Sequence, residues 1–239
     1  MTIANIWGNV WNNNLAKESD HSLPLYSFPS SNLTAFVRYE VSNYLMLNKS
    51  RQSLLKWLDI GCAKADHLCH LHASLDRFNQ FILTDISNLV LQAAVTQMLS
   101  AYTDHTITSF LSAQPTAYPL EEGSVDIVNA ESSLYYSKYD DFLISIREVY
   151  RILKPGGICR IYTKSDRDRY CQKDWQISDF TYRVDLNGHW EDGIVLTCLS
   201  LHEIQSIFSV FNKVSIGLEE YDFTGSSGLK SFYIITAFK

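Results

Sequence analysis

The chain has 239 residues, 46% of them hydrophobic, with 26 acidic against 20 basic side chains and a formal net charge of -6. That size and apolar content suffice for a substantial core and exclude a disordered chain. The acidic balance lacks the basic footprint of a nucleic-acid binder, and no window approaches about 18 uninterrupted apolar residues, so the reading is a cytoplasmic protein without nucleic-acid or membrane partners.

Residues 1–50 are rich in aromatic side chains and Asn, with Trp7, Trp11, Tyr26 and Phe28 ahead of a helix expected from Asn32 to about Leu47. Phe36, Val37, Val41, Tyr44 and Leu45 recur there near helical spacing. This segment is read as an aromatic, helical lid, and residues 51–239 as the main domain. From Leu54 the pattern alternates: strand 54–60, helix 64–75, strand 80–84, helix 87–101, strand 106–111, strand 125–130, helix 139–153 and strand 157–163. Such alternation predicts a doubly wound α/β sheet covered by helices on both faces. Residues 165–196 are polar and aromatic without a clear period and read as an insertion. A helix at about 201–211 and strands near 213–220 and 231–238 complete the chain.

The cysteines (Cys62, Cys69, Cys159, Cys171 and Cys198) form no C-x-x-C pair, which fits free thiols in a reducing compartment. His67 and His70 fall three apart on one helical face. Zinc ligands usually come in paired spacings, so an ordinary helix surface is the preferred reading and no metal is expected.

In an open parallel sheet, ligands bind beyond the carboxyl ends of the strands. Four such positions carry chemistry. Leu58-Asp59-Ile60-Gly61-Cys62-Ala63-Lys64-Ala65 runs from a strand through a turn of small residues into a helix, as a cofactor-binding loop does. Asp85, 24 residues after Gly61, ends the second strand and suits a ribose diol, because a carboxylate accepts from both hydroxyls. The plainer alternative makes Asp85 a helix N-cap, a role Ser87 could fill instead. Ala113-Gln114 follows the third strand, where a side-chain amide can address a base edge, although Gln114 before Pro115 also suits an ordinary turn. Glu131-Ser132-Ser133-Leu134-Tyr135-Tyr136 follows the fourth and offers an acid and two tyrosines to the reacting end of a ligand.

Taken together, four segments in order resemble the class I S-adenosylmethionine-dependent methyltransferases of small-molecule type. They are Leu58–Cys62, Leu83-Thr84-Asp85-Ile86-Ser87, Tyr118–Val128 and Ile152-Leu153-Lys154-Pro155-Gly156-Gly157. The resemblance covers roughly residues 54–163. It implies a Rossmann-like sheet of about seven strands, mostly parallel, with one antiparallel strand, and S-adenosylmethionine as cofactor. Asp59, Gly61, Cys62 and Ala63 would border the methionine part, Asp85 the ribose and Ile86 the adenine. Ala113 and Gln114 would meet the adenine amino group, and Glu131 would lie near the methionine amino group or the methyl.

The implied reaction is in-line methyl transfer to oxygen, nitrogen or carbon of a small-molecule acceptor, which needs alignment and dry surroundings more than a base. Tyr135, Tyr136, Glu131 and His189 are the candidates for alignment or proton removal, with Tyr170 and Tyr182 behind them. Trp7, Trp11, Tyr26, Trp175 and Trp190 suggest a partly apolar acceptor pocket, each with satellite packing as the plainer role. A homodimer is admitted as an assembly.

Two departures from the family pattern stand out. Ala63 and Ala65 replace glycines, costing about 1–2 kcal/mol wherever φ must be positive. Asp66 stands where an Arg is frequent, and Lys64 is the nearby cation. The rival reading is therefore a protein that keeps the fold, has lost transfer and acts as a binding or regulatory partner. A nicotinamide oxidoreductase is disfavoured, since the loop has one glycine where G-x-G-x-x-G needs three and no Tyr-x-x-x-Lys pair occurs.

Overall fold

The structure, a computed structural model, describes residues 31–48, 55–112, 117–187, 191–223 and 228–239. The strands are β1 (Lys56–Ile60), β2 (Gln80–Asp85), β3 (Thr106–Leu111), β4 (Val125–Ala130), β5 (Leu153–Ser165), β6 (Gln176–Ser178), β7 (Thr181–Arg183), β8 (Val195–Leu199), β9 (Lys213–Phe223) and β10 (Gly228–Phe238). Among the described residues they form one sheet, whose central path runs β3-β2-β1-β4-β5-β10-β9. The first five strands of that path are parallel, and β10 lies antiparallel to both β5 and β9. The expected seven-stranded, mostly parallel sheet with one antiparallel strand is therefore present.

Three further strands extend it. β8 pairs with β5 at Lys164 and Ser165, beyond the Ala130–Ile161 end of the β4 pairing, and β7 and β6 follow antiparallel. The segment 165–196, read from its lack of a clear period as an insertion, holds β6, β7 and the start of β8. Its strands are three to five residues long, too short for an alternating pattern to show.

Successive strand residues supply opposite faces. Trp57, Phe81, Leu83 and Ile127 pack in one core with α1 (Ser31–Phe36), α2 (Ser42–Leu47), α3 (Asp66–His70), α4 (His72–Leu75) and α5 (Asn88–Ala101). Leu58, Ile82, Val128 and Ala130 pack on the other side with α6 (Tyr139–Ile152) and α7 (Leu201–Ile207). Burial on both faces is why these strands read as near-continuous apolar runs. On α6 the buried positions Phe142, Ser145, Ile146, Val149 and Ile152 trace one helical stripe.

Three expected elements are corrected. The helix expected over 64–75 is two short pieces, α3 and α4, broken at Leu71 (φ -92°, ψ 4°). The strand expected over 157–163 begins at Leu153, directly after α6, because Gly156 N–H donates to Lys239 O (2.6 Å) and Lys239 N–H to Gly157 O (3.0 Å), extending the ladder outward. Cys171 and Cys198, expected to be free, form a disulfide joining the loop after β5 to β8, whereas Cys62 and Cys159 are buried thiols.

The N-terminal helix contains a π-helical segment, Val37–Val41, between α1 and α2. Asn32 at its start reaches Glu219 on β9, and Tyr44 near its end donates to Asp126 Oδ1 at the start of β4 (2.7 Å). Lys154 Nζ and the Lys56 N–H also bind Asp126 (2.6 and 2.9 Å), so this buried acid fastens the helix to the amino end of the sheet. The opposite end, where the strand order reverses between β1 and β4, is left for the site.

Candidate functional site

The turn after β1 is held by the next strand. Gly61 and Cys62 N–H groups both donate to Thr84 O (2.8 and 3.0 Å), and Gly61 has φ +67°. A Cβ at position 61 would overlap Ser133, whose hydroxyl donates to Ile60 O (2.7 Å), so only glycine lets the β1 and β4 loops touch.

Both alanines that depart from the glycine pattern adopt left-handed backbone, with φ +47° at Ala63 and +58° at Ala65. The loop keeps a glycine-like path in spite of two Cβ atoms. What holds it is visible: Ala63 N–H donates to Asp85 Oδ2 (3.1 Å) and Ala65 N–H to Cys62 O (2.8 Å). Ala65 O accepts from Leu68 N–H (3.0 Å) at the start of α3, and the Ala65 methyl is fully buried.

Asp85 ends β2 beside this loop. Besides Ala63, its carboxylate accepts from Ser87 N–H (2.9 Å) through Oδ1, while Ser87 Oγ accepts from Val90 N–H (3.3 Å) and is the N-cap of α5. The capping role thus falls to Ser87. The Ile86 N–H also donates to this carboxylate, so three backbone donors fix its orientation at the end of β2, where it can still accept from a ligand hydroxyl. Burial raises its pKa above the ordinary carboxylate range, against the pull of its backbone donors. Ile86, the next residue, is half-buried.

Between β1, β4 and β5 runs a continuous polar network. Asp59 Oδ2 pairs with His67 Nε2 (2.8 Å), and Asp59 Oδ1 accepts from Asn129 Nδ2 (2.7 Å). Asn129 Oδ1 accepts from Arg160 Nη1 (3.2 Å), which also donates to Glu131 Oε2 (3.1 Å). Asp59, Asn129 and Arg160 are buried, whereas the Glu131 side chain stays 24% exposed and is the network's open end. Burial opposes charging of His67, but the Asp59 carboxylate outweighs it and raises the imidazole pKa. Sequence reasoning set His67 aside as a metal candidate and passed over Asn129 and Arg160. His67 lies in the first turn of α3, and its pairing with Asp59 depends on how that turn packs against the end of β1.

Beyond β5 the surroundings are aromatic. Tyr135 is buried, its ring 4.3 Å from that of Tyr136 and 6.3 Å from that of Phe232, and burial pushes its hydroxyl pKa well up. Tyr136 is half-buried beside it. Lys164 is buried with Nζ 4.0 Å from the Phe232 ring centroid and 5.0 Å from that of Tyr170, and it pairs with Asp168 (2.7 Å). Asp168 also accepts from the N–H groups of Tyr170 and Ser231 (3.1 and 2.9 Å), and Tyr170 donates to Glu191. Burial lowers the Lys164 pKa and the pair with Asp168 opposes that shift.

The structure therefore brings Asp59, Gly61, Cys62, Ala63, Asp85, Ile86, Glu131, Tyr135 and Tyr136 to the carboxyl ends of β1, β2 and β4. Ala113, Gln114 and His189 lie outside the described residues, as do Trp7, Trp11, Tyr26, Phe28 and Trp190. No group of three metal-ligating side chains occurs among the described residues, and no described helix is long and apolar enough to cross a membrane.

Comparison with known proteins fits this geometry. A family model described as "Methyltransferase domain" matches residues 58–161. A demethylmenaquinone methyltransferase from Lactococcus lactis is 30% identical over 103 residues, a match covering 43% of this chain and 39% of that protein's length. A S-adenosylmethionine-dependent methyltransferase from Methanosarcina mazei superposes with a TM-score of 0.59 at 15% identity, over 81% of this chain and 96% of that one. Another from Mesorhizobium loti gives 0.55 at 16% identity, over 78% and 92%. At such identities the solved structures speak for the fold.

Proposed function

We propose that this chain is a class I methyltransferase that takes S-adenosylmethionine and transfers its methyl group in line to oxygen, nitrogen or carbon of a small-molecule acceptor, a reading supported by the methyltransferase-domain match over residues 58–161 and by the fold shared with S-adenosylmethionine-dependent methyltransferases. The observation that carries the proposal is the joined loop and acid: Ala63 and Ala65 hold positive φ while the Ala63 N–H binds Asp85. A loop released from cofactor binding has no reason to hold a left-handed path once its glycines are gone, and this loop holds that path at both alanines, which argues against a protein that has lost its ligand.

The donor set suits the cofactor. Asp85 offers its carboxylate to the ribose hydroxyls, Glu131 offers a partly exposed carboxylate to the methionine ammonium, and Ile86 borders the adenine. Cys62 is buried with its thiol pKa raised, so it lines the turn as a neutral group. When bound, the cofactor supplies an electrophilic methyl on a sulfonium whose sulfur leaves neutral. The protein's share is to orient the acceptor and exclude water.

The raised Tyr135 pKa leaves that hydroxyl protonated, an aligning group rather than a base, and Glu131 is engaged by Arg160. Tyr136, half-buried beside Tyr135, completes the alignment. This reading favours an acceptor that is already a competent nucleophile. Half-buried Ile86, Tyr136, Trp175 and Tyr182, packed against the buried cluster that includes Tyr135, Tyr170 and Phe232, favour an apolar or aromatic acceptor body, and the quinone named for the Lactococcus relative is of that kind. Residues 165–196 and the chain ahead of α1 would close over it as a lid, and the protein, a homodimer, uses neither nucleic acid nor membrane.

The test is turnover with methyl-labelled S-adenosylmethionine against panels of phenols, quinols, amines and carbon acids. Labelled product with equimolar S-adenosylhomocysteine is expected from one class. Tight cofactor binding with no transfer to any class would favour the binding or regulatory reading.

A further inference from the structure

Building on that reading, we infer that His67 is a positioning residue of the cofactor site: through Asp59 and Asn129 it fixes Arg160, and hence the Glu131 carboxylate that meets the methionine end. The argument begins with burial. Asp59 is 1% exposed, and a carboxylate so far from water persists only where partners compensate it. Its Oδ2 has His67 and its Oδ1 has Asn129.

These bonds give the network a direction. With its amide nitrogen committed to Asp59, Asn129 can present only its oxygen to Arg160. Arg160, without exposure, then has its Nη1 shared between that oxygen and Glu131. Four buried or half-buried groups thus lead from α3 to the single partly exposed carboxylate. Removing the imidazole leaves Asp59 Oδ2 without that partner, and Asn129 loses the constraint that sets which way its amide faces.

His67 also answers a question posed by the sequence. Asp66 stands where an Arg is frequent in the family, and its Oδ1 accepts from Gln97 on α5 (2.5 Å). The cations balancing Asp59 and Glu131 come instead from His67 and Arg160. The charged groups acting on His67 are Asp59 on β1, Glu131 after β4 and Arg160 on β5, with Lys64, Asp66 and His70 its neighbours along the loop and α3, and Asp59 in turn acts on Asp85 at the end of β2. With His67 protonated, its two pairs sum to zero charge. Deprotonated, the network carries one net negative charge, which attracts the sulfonium cofactor more than its uncharged-sulfur product.

The experiment is calorimetric titration of wild type, His67→Ala and His67→Gln with S-adenosylmethionine and with S-adenosylhomocysteine, from about pH 6 to about pH 8.5. His67→Ala should weaken both ligands about tenfold, and His67→Gln, which keeps an N–H donor, should recover most of the loss. In wild type the affinity ratio should move several-fold toward S-adenosylmethionine as pH rises, and in His67→Gln it should stay flat, a readout that packing alone does not move. If His67→Ala fails to fold, the flat ratio in His67→Gln still carries the test. Equal binding by wild type and His67→Ala overturns the inference, as does a ratio in His67→Gln that moves with pH as wild type does. Silence of the wild type toward both ligands would instead overturn the methyltransferase reading itself.

Discussion

Replacing Ala63 with glycine should stabilise the protein, and the same change at Ala65 should not. Ala63 has φ +47°, where a Cβ costs about 1–2 kcal/mol relative to glycine. Glycine gives back about 0.4–1 kcal/mol through the greater freedom of the unfolded chain, so Ala63→Gly should gain about 0.5–1 kcal/mol. Ala65 has φ +58° and the same backbone relief, but its methyl is fully buried and its removal forfeits about 0.8 kcal/mol. The two terms then nearly cancel. For a chain of this length the Ala63 gain corresponds to a rise in Tm of about 1–4 °C, readable by scanning calorimetry beside urea unfolding. Ala63→Gly should also bind S-adenosylmethionine more tightly, since a side chain leaves the cofactor's border. A Tm below wild type for Ala63→Gly would refute the reasoning, because glycine destabilises a residue at negative φ.

Other expectations follow from the same site. Gly61→Ala adds left-handed strain to an overlap with Ser133 and should cost about 2–4 kcal/mol in denaturant unfolding. Asp85→Asn should reduce cofactor affinity at least about tenfold while leaving Tm within about 3 °C of wild type. The sign follows from burial: because the folded-state pKa of Asp85 is raised, its protonated form favours folding, that contribution is lost as pH rises through the folded value, and a neutral amide mimics the favoured form. Binding should therefore weaken on acidification sooner than an ordinary carboxylate would dictate. Lys164→Met leaves Asp168 buried with only the N–H groups of Tyr170 and Ser231 and should cost about 3–5 kcal/mol, much of it recovered in the double variant with Asp168→Asn. Urea unfolding of both would check this.

The sheet was legible because its strands are buried on both faces and its helices keep one stripe, as at Phe142, Ile146 and Val149. The loop after β1 and Asp85 were legible because a tight turn and an acid 24 residues on are local features. What escaped was of two kinds. β6, β7 and β8 are too short to carry a period, and Cys171–Cys198 joins residues whose proximity depends on the pairing of Lys164 with Cys198 across β5 and β8. The network of Asp59, His67, Asn129, Arg160 and Glu131 is assembled from three strands and a helix, so no spacing along the chain announces it. The two alanines show the boundary from the other side. Their identity raised the question of strain, and only the backbone angles answered it.

The most direct test of the account is calorimetric titration of the wild-type protein and Asp85→Asn with S-adenosylmethionine and S-adenosylhomocysteine at neutral pH. The account predicts saturable binding of one ligand per chain by the wild type, with Kd at or below about 1 mM, and its loss in the folded variant. Absence of binding by the wild type, or binding untouched by Asp85→Asn, would contradict it.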